Sequence, residues 1–303
     1  MKGFEHYKSI DHISPSSLSV FSRCPRKYFY QIGCRLQSPV TSNALLFGEA
    51  MHYALPHAYE GDIDKAFKAF NSIWKDAAGD DIRNSARAML LIENFTEAHS
   101  KNRSIYIPEL PPKSNIKVTD CRSAYELDFA IDIGENVPFV GRIDCVARHR
   151  DTRKLVAVEY KTASRLGNTY LESFRRNPQV IGYALALEAL AGESVDTVYV
   201  EVLPTQKTQT HPVVIPVNFL YNAYEPFIQG MKYFLQQIRH CEEVKEFPQN
   251  ICACNSYSSY GMAGYNCPYL ELCELKDWTL GKDDYTINNY NPFIIENEKT
   301  ESD

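Results

Sequence analysis

The stretch "KLVAVEYKTAS", residues 154–164, has the alternation of a strand, is apolar on both faces, and then turns charged. Leu155, Ala157, Glu159 and Lys161 share one face, and Val156, Val158 and Tyr160 share the other. Apolar residues on both faces indicate a strand covered on both sides, as in the middle of an α/β sheet. A charge carried into such a place costs several kcal/mol unless it is paired or bound to a metal. On the surface the E-x-K would be a simple ion pair worth less than about 1 kcal/mol. In an interior it needs a purpose.

The neighbouring stretches supply one. In "PFVGRIDCVARH", residues 138–149, alternation puts Val140, Arg142 and Asp144 on one face. If this strand pairs with 154–163, Asp144 and Glu159 meet above the sheet. Two carboxylates that close repel each other, and a divalent cation between them is the usual remedy. A lysine beside such a metal can orient a water and stabilise negative charge developing on a phosphate. Downstream, residues 178–191 are predicted as a helix, with Asn177 as cap, Gly192 past its end, and Gln179 and Tyr183 one turn apart. Upstream, "FGEAMHYAL" puts His52 one turn after Gly48, whose missing side chain would let backbone or ligand approach. A single histidine is more often a satisfied structural residue than a ligand.

The rest of the chain frames these elements. In "ISPSSLSVFSRCPRKYFYQIGCRL", Ser14 caps a helix with Pro15 at its first position, and Pro25 predicts a break near Cys24. Helices are expected over 44–60 (ending near Pro56), 63–77 and 82–102, with "PELPPKSN" as a loop. Strands are expected over 125–133, 138–149 and 154–163, then the 178–191 helix, the strand "DTVYVEVLP" and a closing helix over 216–240. The 303 residues accommodate an α/β core with helical additions. The net charge of −6 sits mostly in residues 277–303, which hold seven Asp/Glu against two Lys and are expected to form a mobile acidic tail. The remainder is near neutral, so local basic patches stay available for a polyanion.

No apolar run is long enough to span a membrane, and the N-terminus lacks the apolar core of a signal peptide. A cytoplasmic setting is expected, where nine cysteines are better suited to thiol and metal-ligand roles than to disulfides. No G-x-x-x-x-G-K-[ST] occurs, so no ATP-driven motor is expected within the chain.

Five elements in order, "SPSSLSVFSRCPRKYFY", "FGEAMH", "GRID", "VEYKT" and "QVIGY", resemble the PD-(D/E)XK nuclease superfamily in its RecB-type branch, which includes Cas4 nucleases, AddB-like nuclease domains and phage exonucleases. The resemblance reaches from about residue 13 to 273. It implies a restriction-endonuclease-like α/β core, a central mixed sheet flanked by helices, in one nuclease domain over 1–276, with a helical insertion near 61–120 and a cysteine-rich segment near 250–275. It implies a metal-dependent DNA exonuclease working on single strands or ends, in recombination, repair or phage DNA processing. His52, Asp144, Glu159 and the Tyr160 carbonyl would bind Mg²⁺ or Mn²⁺. Lys161, with Glu159 and Asp144, would carry the catalysis. Gln179 and Tyr183, with the basic Arg26 and Lys27, would hold DNA. A helicase or recombinase could act in trans. The alternative is a catalytically inactive DNA-binding or assembly subunit that keeps the fold; a zinc-stabilised interaction protein would leave the ordered motifs as coincidence.

By the same resemblance, Cys24, Cys254, Cys267 and Cys273 would hold a [4Fe–4S] cluster, with structural zinc as the other candidate for four thiolates. The C-terminal spacing departs from the compact pattern of Cas4. Cys252 rivals Cys254 for one ligand position, and Cys254 is preferred because it lies nearer the Tyr/Gly-rich turn. Cys34, Cys121, Cys145 and Cys241 are taken as ordinary buried thiols.

Overall fold

The computed structural model describes residues 2–38, 42–76, 80–100, 103–112, 123–206, 208–219, 224–254 and 267–288. Cys121, the Tyr/Gly-rich turn and the end of the acidic tail lie outside them. In chain order the helices are α1 (Pro15–Arg23), α2 (Pro25–Tyr28), α3 (Asn43–Tyr59), α4 (Ile63–Ile73), α5 (Ser85–His99), α6 (Asn168–Ser173), α7 (Pro178–Ala191), α8 (Tyr224–Glu243), α9 (Ile251–Cys254) and α10 (Leu270–Glu274). The strands are β1 (Leu36–Gln37), β2 (Tyr106–Pro108), β3 (Tyr125–Ile131), β4 (Phe139–His149), β5 (Leu155–Ala163), β6 (Thr197–Pro204), β7 (Val213–Asn218) and β8 (Thr286–Ile287). The chain forms two compact units within the span expected to be one domain: Met1–Val40, Ala130–Gly141 and Glu225–Asp303 in one, Thr41–Phe129 and Arg142–Tyr224 in the other.

The second unit carries the mixed sheet, in the order β2-β4-β5-β6-β7, with β3 also paired to β4. β5 and β6 run parallel, which requires a crossover, and α7 supplies it. The β2–β4, β4–β5 and β6–β7 pairs are antiparallel. β5 lies at the centre, as its two apolar faces demand. On one side Val156, Val158 and Tyr160 join a core with Phe47, Met51 and Leu55 of α3, Phe70 of α4 and Phe95 of α5. On the other side α7 lies against β5 and β6. Asn177 caps α7 through its side chain, Pro178 opens it, and Gly192 closes it at φ 66°.

The first unit has an aromatic core. Tyr7, Phe21, Tyr28, Phe29, Tyr30, Phe247, Tyr269 and Trp278 are buried together. Ser14 and Ser17 form a reciprocal capping box at the start of α1. Pro25 breaks the helix as expected: Cys24 is extended between α1 and α2, at φ −162°. The expected acidic tail is folded at its beginning, since Trp278 is buried and its indole N–H donates to the Lys2 carbonyl at 2.7 Å. A tryptophan offers too much apolar surface to remain in a solvated tail.

Several boundaries differ from the sequence expectations. α3 does not stop at Pro56 but runs through it to Tyr59. The proline forfeits a single backbone bond near the helix end, while Ala58 beyond the expected break buries fully. α4 ends at Ile73, where Trp74 turns extended and buries its ring. α5 is confined to Ser85–His99 by its Asn84 cap. Part of the expected closing helix is β7, an edge strand that tolerates Pro216 because an edge needs fewer backbone donors. No helix among the described residues is long and apolar enough to cross a membrane.

A glycine tests the tightness of the first core. A Cβ at Gly33 would overlap the Tyr7 ring. That ring stacks on Phe29 at 5.4 Å, and its hydroxyl donates to Glu242 at 2.8 Å, so it has little room to yield. Gly33→Ala is expected to cost about 2 kcal/mol or more, against about 1 kcal/mol for Gly192→Ala, which meets no atom but adopts a left-handed φ. Urea unfolding midpoints compare the two; equal midpoints would show that Tyr7 gives way.

Candidate metal centre

The centre begins where β4 and β5 part. The register pairs Cys145 with Val158, which brings Asp144 beside Glu159 at the end of the ladder. There the carboxylate of Asp144 replaces a backbone acceptor: Tyr160 N–H donates to Asp144 Oδ2 at 2.8 Å. Asp144 is 6% exposed and Glu159 is 0% exposed. Burial raises both carboxyl groups above their ordinary range, with Glu159 pushed up to about 7 and the two adding to each other through repulsion at Glu159.

Among the described residues, neither oxygen of Glu159 has a hydrogen-bond partner of acceptable geometry. The Lys161 ammonium lies against it as an ion pair. Burial works to lower the Lys161 amine, but Glu159 and then Asp144 outweigh it and hold the ammonium above its usual value. The ammonium also donates to Gln179 Oε1 at 3.1 Å, Gln179 Nε2 donates to the Tyr183 hydroxyl at 2.9 Å, and that hydroxyl donates to Asp144 Oδ1 at 3.3 Å. The one-turn spacing of Gln179 and Tyr183 on α7 therefore closes a ring from Lys161 back to Asp144.

His52 enters from α3. Its Nδ1 lies 3.7 Å from Asp144 Oδ2 and 3.7 Å from Glu126 Oε1. Burial pulls the imidazole down, but Asp144 and Glu126 outweigh it and raise it to about 9. His52, Glu126 and Asp144 present ligand atoms within 4.8 Å of one another, the only such trio of His, Cys, Asp or Glu among the described residues. Glu126 is a residue that sequence reasoning missed. It sits in β3 with φ 54°, a left-handed conformation rare for a non-glycine residue in a strand, and its carboxylate also lies 3.9 Å from Arg142. Arg142 in turn forms a two-point pair with Asp128, at 2.7 and 3.1 Å.

This donor set, one imidazole and three carboxylates with an unsatisfied buried glutamate among them, fits a hard divalent cation such as Mg²⁺ or Mn²⁺. The sequence grouped His52, Asp144, Glu159 and Tyr160; the fold sets His52 beside Asp144, Asp144 next to Glu159 in the ladder, and the Tyr160 N–H on Asp144. Tyr183 is 2% exposed and hydrogen-bonds Asp144 from inside the protein.

Arg26, Lys27 and the cysteines Cys24, Cys254, Cys267 and Cys273 belong to the first unit. Arg26 Nε donates to the Phe247 carbonyl at 2.6 Å, and Arg26 lies near Tyr30 and Cys273. Lys27 is half-buried on α2. Asn250 links two cysteines, its N–H to Cys24 Sγ at 3.4 Å and its carbonyl to Cys254 Sγ at 3.5 Å. Burial raises the Cys254 thiol, and neighbouring Cys24 and Cys267 raise it further; burial raises Cys273, with Cys267 adding to it. All four expected cysteines are thus neighbours, although they do not close to the tight spacing of the His52 trio. Cys252 is exposed, whereas Cys254 is the one beside Cys24. Cys34, Cys145 and Cys241 are buried thiols, as expected.

A family profile for the PD-(D/E)XK nuclease superfamily matches residues 12–274. No curated protein matches the sequence. Among solved structures, a protein from Eubacterium rectale provisionally named an exonuclease superposes with a TM-score of 0.51 at 12% identity, covering 87% of this chain and 93% of its own. That likeness supports the α/β fold. A second structure, of SSO0001, covers 77% of this chain and 80% of its own at 13% identity, with a TM-score of 0.35 too low to bear on the fold.

The buried carboxylates give the metal-free protein a distinctive pH response. A carboxyl raised in the folded state favours stability at low pH, and that contribution is lost as pH climbs from about 4.5 to about 7. Glu159→Gln should remove this loss, so that at pH 8 the metal-free variant is more stable than the parent by up to about 3 kcal/mol. Denaturant titrations across pH in a chelator read the difference directly. In the presence of Mn²⁺, Glu126→Gln should weaken metal affinity several-fold by calorimetry; unchanged affinity would exclude Glu126 from the centre.

Proposed function

Because the chain belongs to the PD-(D/E)XK nuclease superfamily, we propose that it is a metal-dependent DNA exonuclease acting on single strands or strand ends. The observation that carries this reading is Glu159, fully buried, without hydrogen bonds, and pressed against Lys161. The Lys161 ammonium offsets part of the cost of burying that carboxylate, and a bound divalent cation would offset the rest. The same cost argues against an inactive DNA-binding subunit, which would have no physical reason to keep it.

His52, Asp144, Glu159 and the Tyr160 carbonyl would hold Mg²⁺ or Mn²⁺, with Glu126 as a further carboxylate. Such a cation, when bound, lowers the pKa of a coordinated water and neutralises charge on phosphate oxygens. Lys161 positions the attacking water and stabilises the negative charge that grows on the phosphate as the new bond to phosphorus forms and the bond to the leaving oxygen breaks. Gln179 orients the lysine, and Tyr183 and the Tyr160 N–H fix the two oxygens of Asp144. Arg26 and Lys27 would belong to a separate patch near the cysteines.

In the first unit, Cys24, Cys254, Cys267 and Cys273 would hold a [4Fe–4S] cluster of the kind found in the RecB-type and Cas4-like branch, zinc being the alternative. Joining residue 24 to residue 254 closes a loop of about 230 residues, which in a chain-entropy picture removes up to about 5 kcal/mol of unfolded-state freedom. The lack of a phosphate-binding motor loop fits a nuclease that works beside a separate helicase or recombinase, in recombination, repair or phage DNA processing.

A time course on end-labelled single- and double-stranded DNA with Mg²⁺ or Mn²⁺ tests the activity. Wild type should degrade DNA, and Lys161→Ala should lose at least about 1,000-fold in rate while folding normally. DNA binding without cleavage by either protein would count against the nuclease reading. Anaerobic purification tests the cluster independently: brown protein that loses its iron in Cys254→Ser but keeps it in Cys252→Ser supports the assignment, and colourless protein carrying zinc overturns it.

A further inference from the structure

The metal centre opens into a cleft of about 780 Å³ that its own ligands only partly explain. One wall is α3, where two rows of side chains run at four-residue spacing. The inner row, Gly48 and His52, faces β5; the outer row is Leu45, Glu49 and Tyr53, with the Glu49 carboxylate between the two apolar side chains. Gly48 marks the close approach of helix to strand, since a Cβ there would lie 3.4 Å from Thr162 Oγ1. A glycine in a helix interior costs about 1 kcal/mol relative to alanine, so its presence keeps space open at some expense.

The outer row departs from ordinary helix patterning. Leu45 is 68% exposed and Tyr53 is 56% exposed, although both line the cleft and Tyr53 directly follows the ligand His52. The opposite wall and floor include the cations Arg142 and Lys161 together with the carboxylate of Glu126. A cleft of this size, with an aromatic and an aliphatic side chain on one wall and cations across from them, suits a ligand with one flat apolar face and one anionic group. A nucleotide has both. Its phosphate would sit toward Lys161 and its base against the α3 wall.

Resting on the nuclease reading above, we infer that this cleft seats an unstacked base of a single DNA strand, with Tyr53 as its stacking platform and Leu45 beside it. Base faces in a duplex are covered by their neighbours, so a tyrosine platform reaches a base only in a single strand or a frayed end. The selectivity for single strands thus comes from the α3 wall, and the chemistry from the residues across the cleft.

The test uses the full-length protein with Mg²⁺ and a phosphorothioate-linked single strand, which resists cleavage, carrying 2-aminopurine at the 3′ or the 5′ terminus. Binding to the wild type should quench the fluorophore from one of the two ends. Tyr53→Ala should abolish the quench and weaken binding about 10-fold or more, while Tyr53→Phe restores both and binding of a blunt duplex is unchanged. Retained quench and affinity in Tyr53→Ala, failure of phenylalanine to rescue, or no binding of the strand by wild type would each overturn the proposal. Cleavage of an ordinary oligonucleotide is followed in parallel. A quench that depends on Tyr53 without cleavage leaves the platform standing and fells the nuclease reading; cleavage with no such quench does the reverse.

Discussion

The second unit is organised around the cost of keeping two carboxylates out of water at the end of one β-ladder. Asp144 and Glu159 are both buried, and each would be destabilising alone. The surroundings offset this in parts. Asp144 receives the Tyr160 N–H and the Tyr183 hydroxyl, and His52 stands 3.7 Å away. Glu159 receives Lys161. These arrangements depend on features distant in sequence: the β4–β5 register, the caps that start α7 one turn before Tyr183, and the passage of α3 alongside β5. A one-residue slip in the β4–β5 pairing would send one carboxylate to the opposite face of the sheet and dissolve the pair.

The parts of this site that depend on local periodicity were legible in the sequence. Alternation placed Glu159 and Lys161 on one face and predicted the meeting of Asp144 with Glu159. Cap and breaker residues located α7 and the α1–α2 break at Cys24. What failed was decided by tertiary context. Pro56 predicted a helix end, yet burial of Ala58 past it accompanies the continuation of α3 to Tyr59. β7 was hidden by Pro216, which an edge strand accepts. Glu126 escaped because in "YELDF" it alternates with Asp128 as a solvent-facing acid would, and nothing local says that His52 of α3 lies 3.7 Å away. The Gln179–Tyr183 spacing was visible, but its partners were not: a period says that two side chains share a face and nothing about what that face meets.

A second buried glutamate in the same sheet shows what separates a structural charge from a functional one. In the parallel β5–β6 register Glu201 lies opposite Tyr160, one residue along from Glu159, and it is equally inaccessible. Glu201 is fully partnered. His99 Nε2 bonds one oxygen at 2.8 Å and the Tyr106 hydroxyl donates to the other at 2.5 Å, while His99 Nδ1 bonds Ser104 at 2.7 Å and Tyr106 reaches the Tyr160 hydroxyl at 3.2 Å. Such a network is satisfied within itself and braces the strand from behind, on the face that packs on α3 and α5. Glu159 has the same burial in the adjacent strand and the opposite accounting, with no hydrogen bond to either oxygen. Burial alone would rank the two together. Partner counting separates them: Glu201 is bound on both oxygens, whereas Glu159 rests on the Lys161 ion pair.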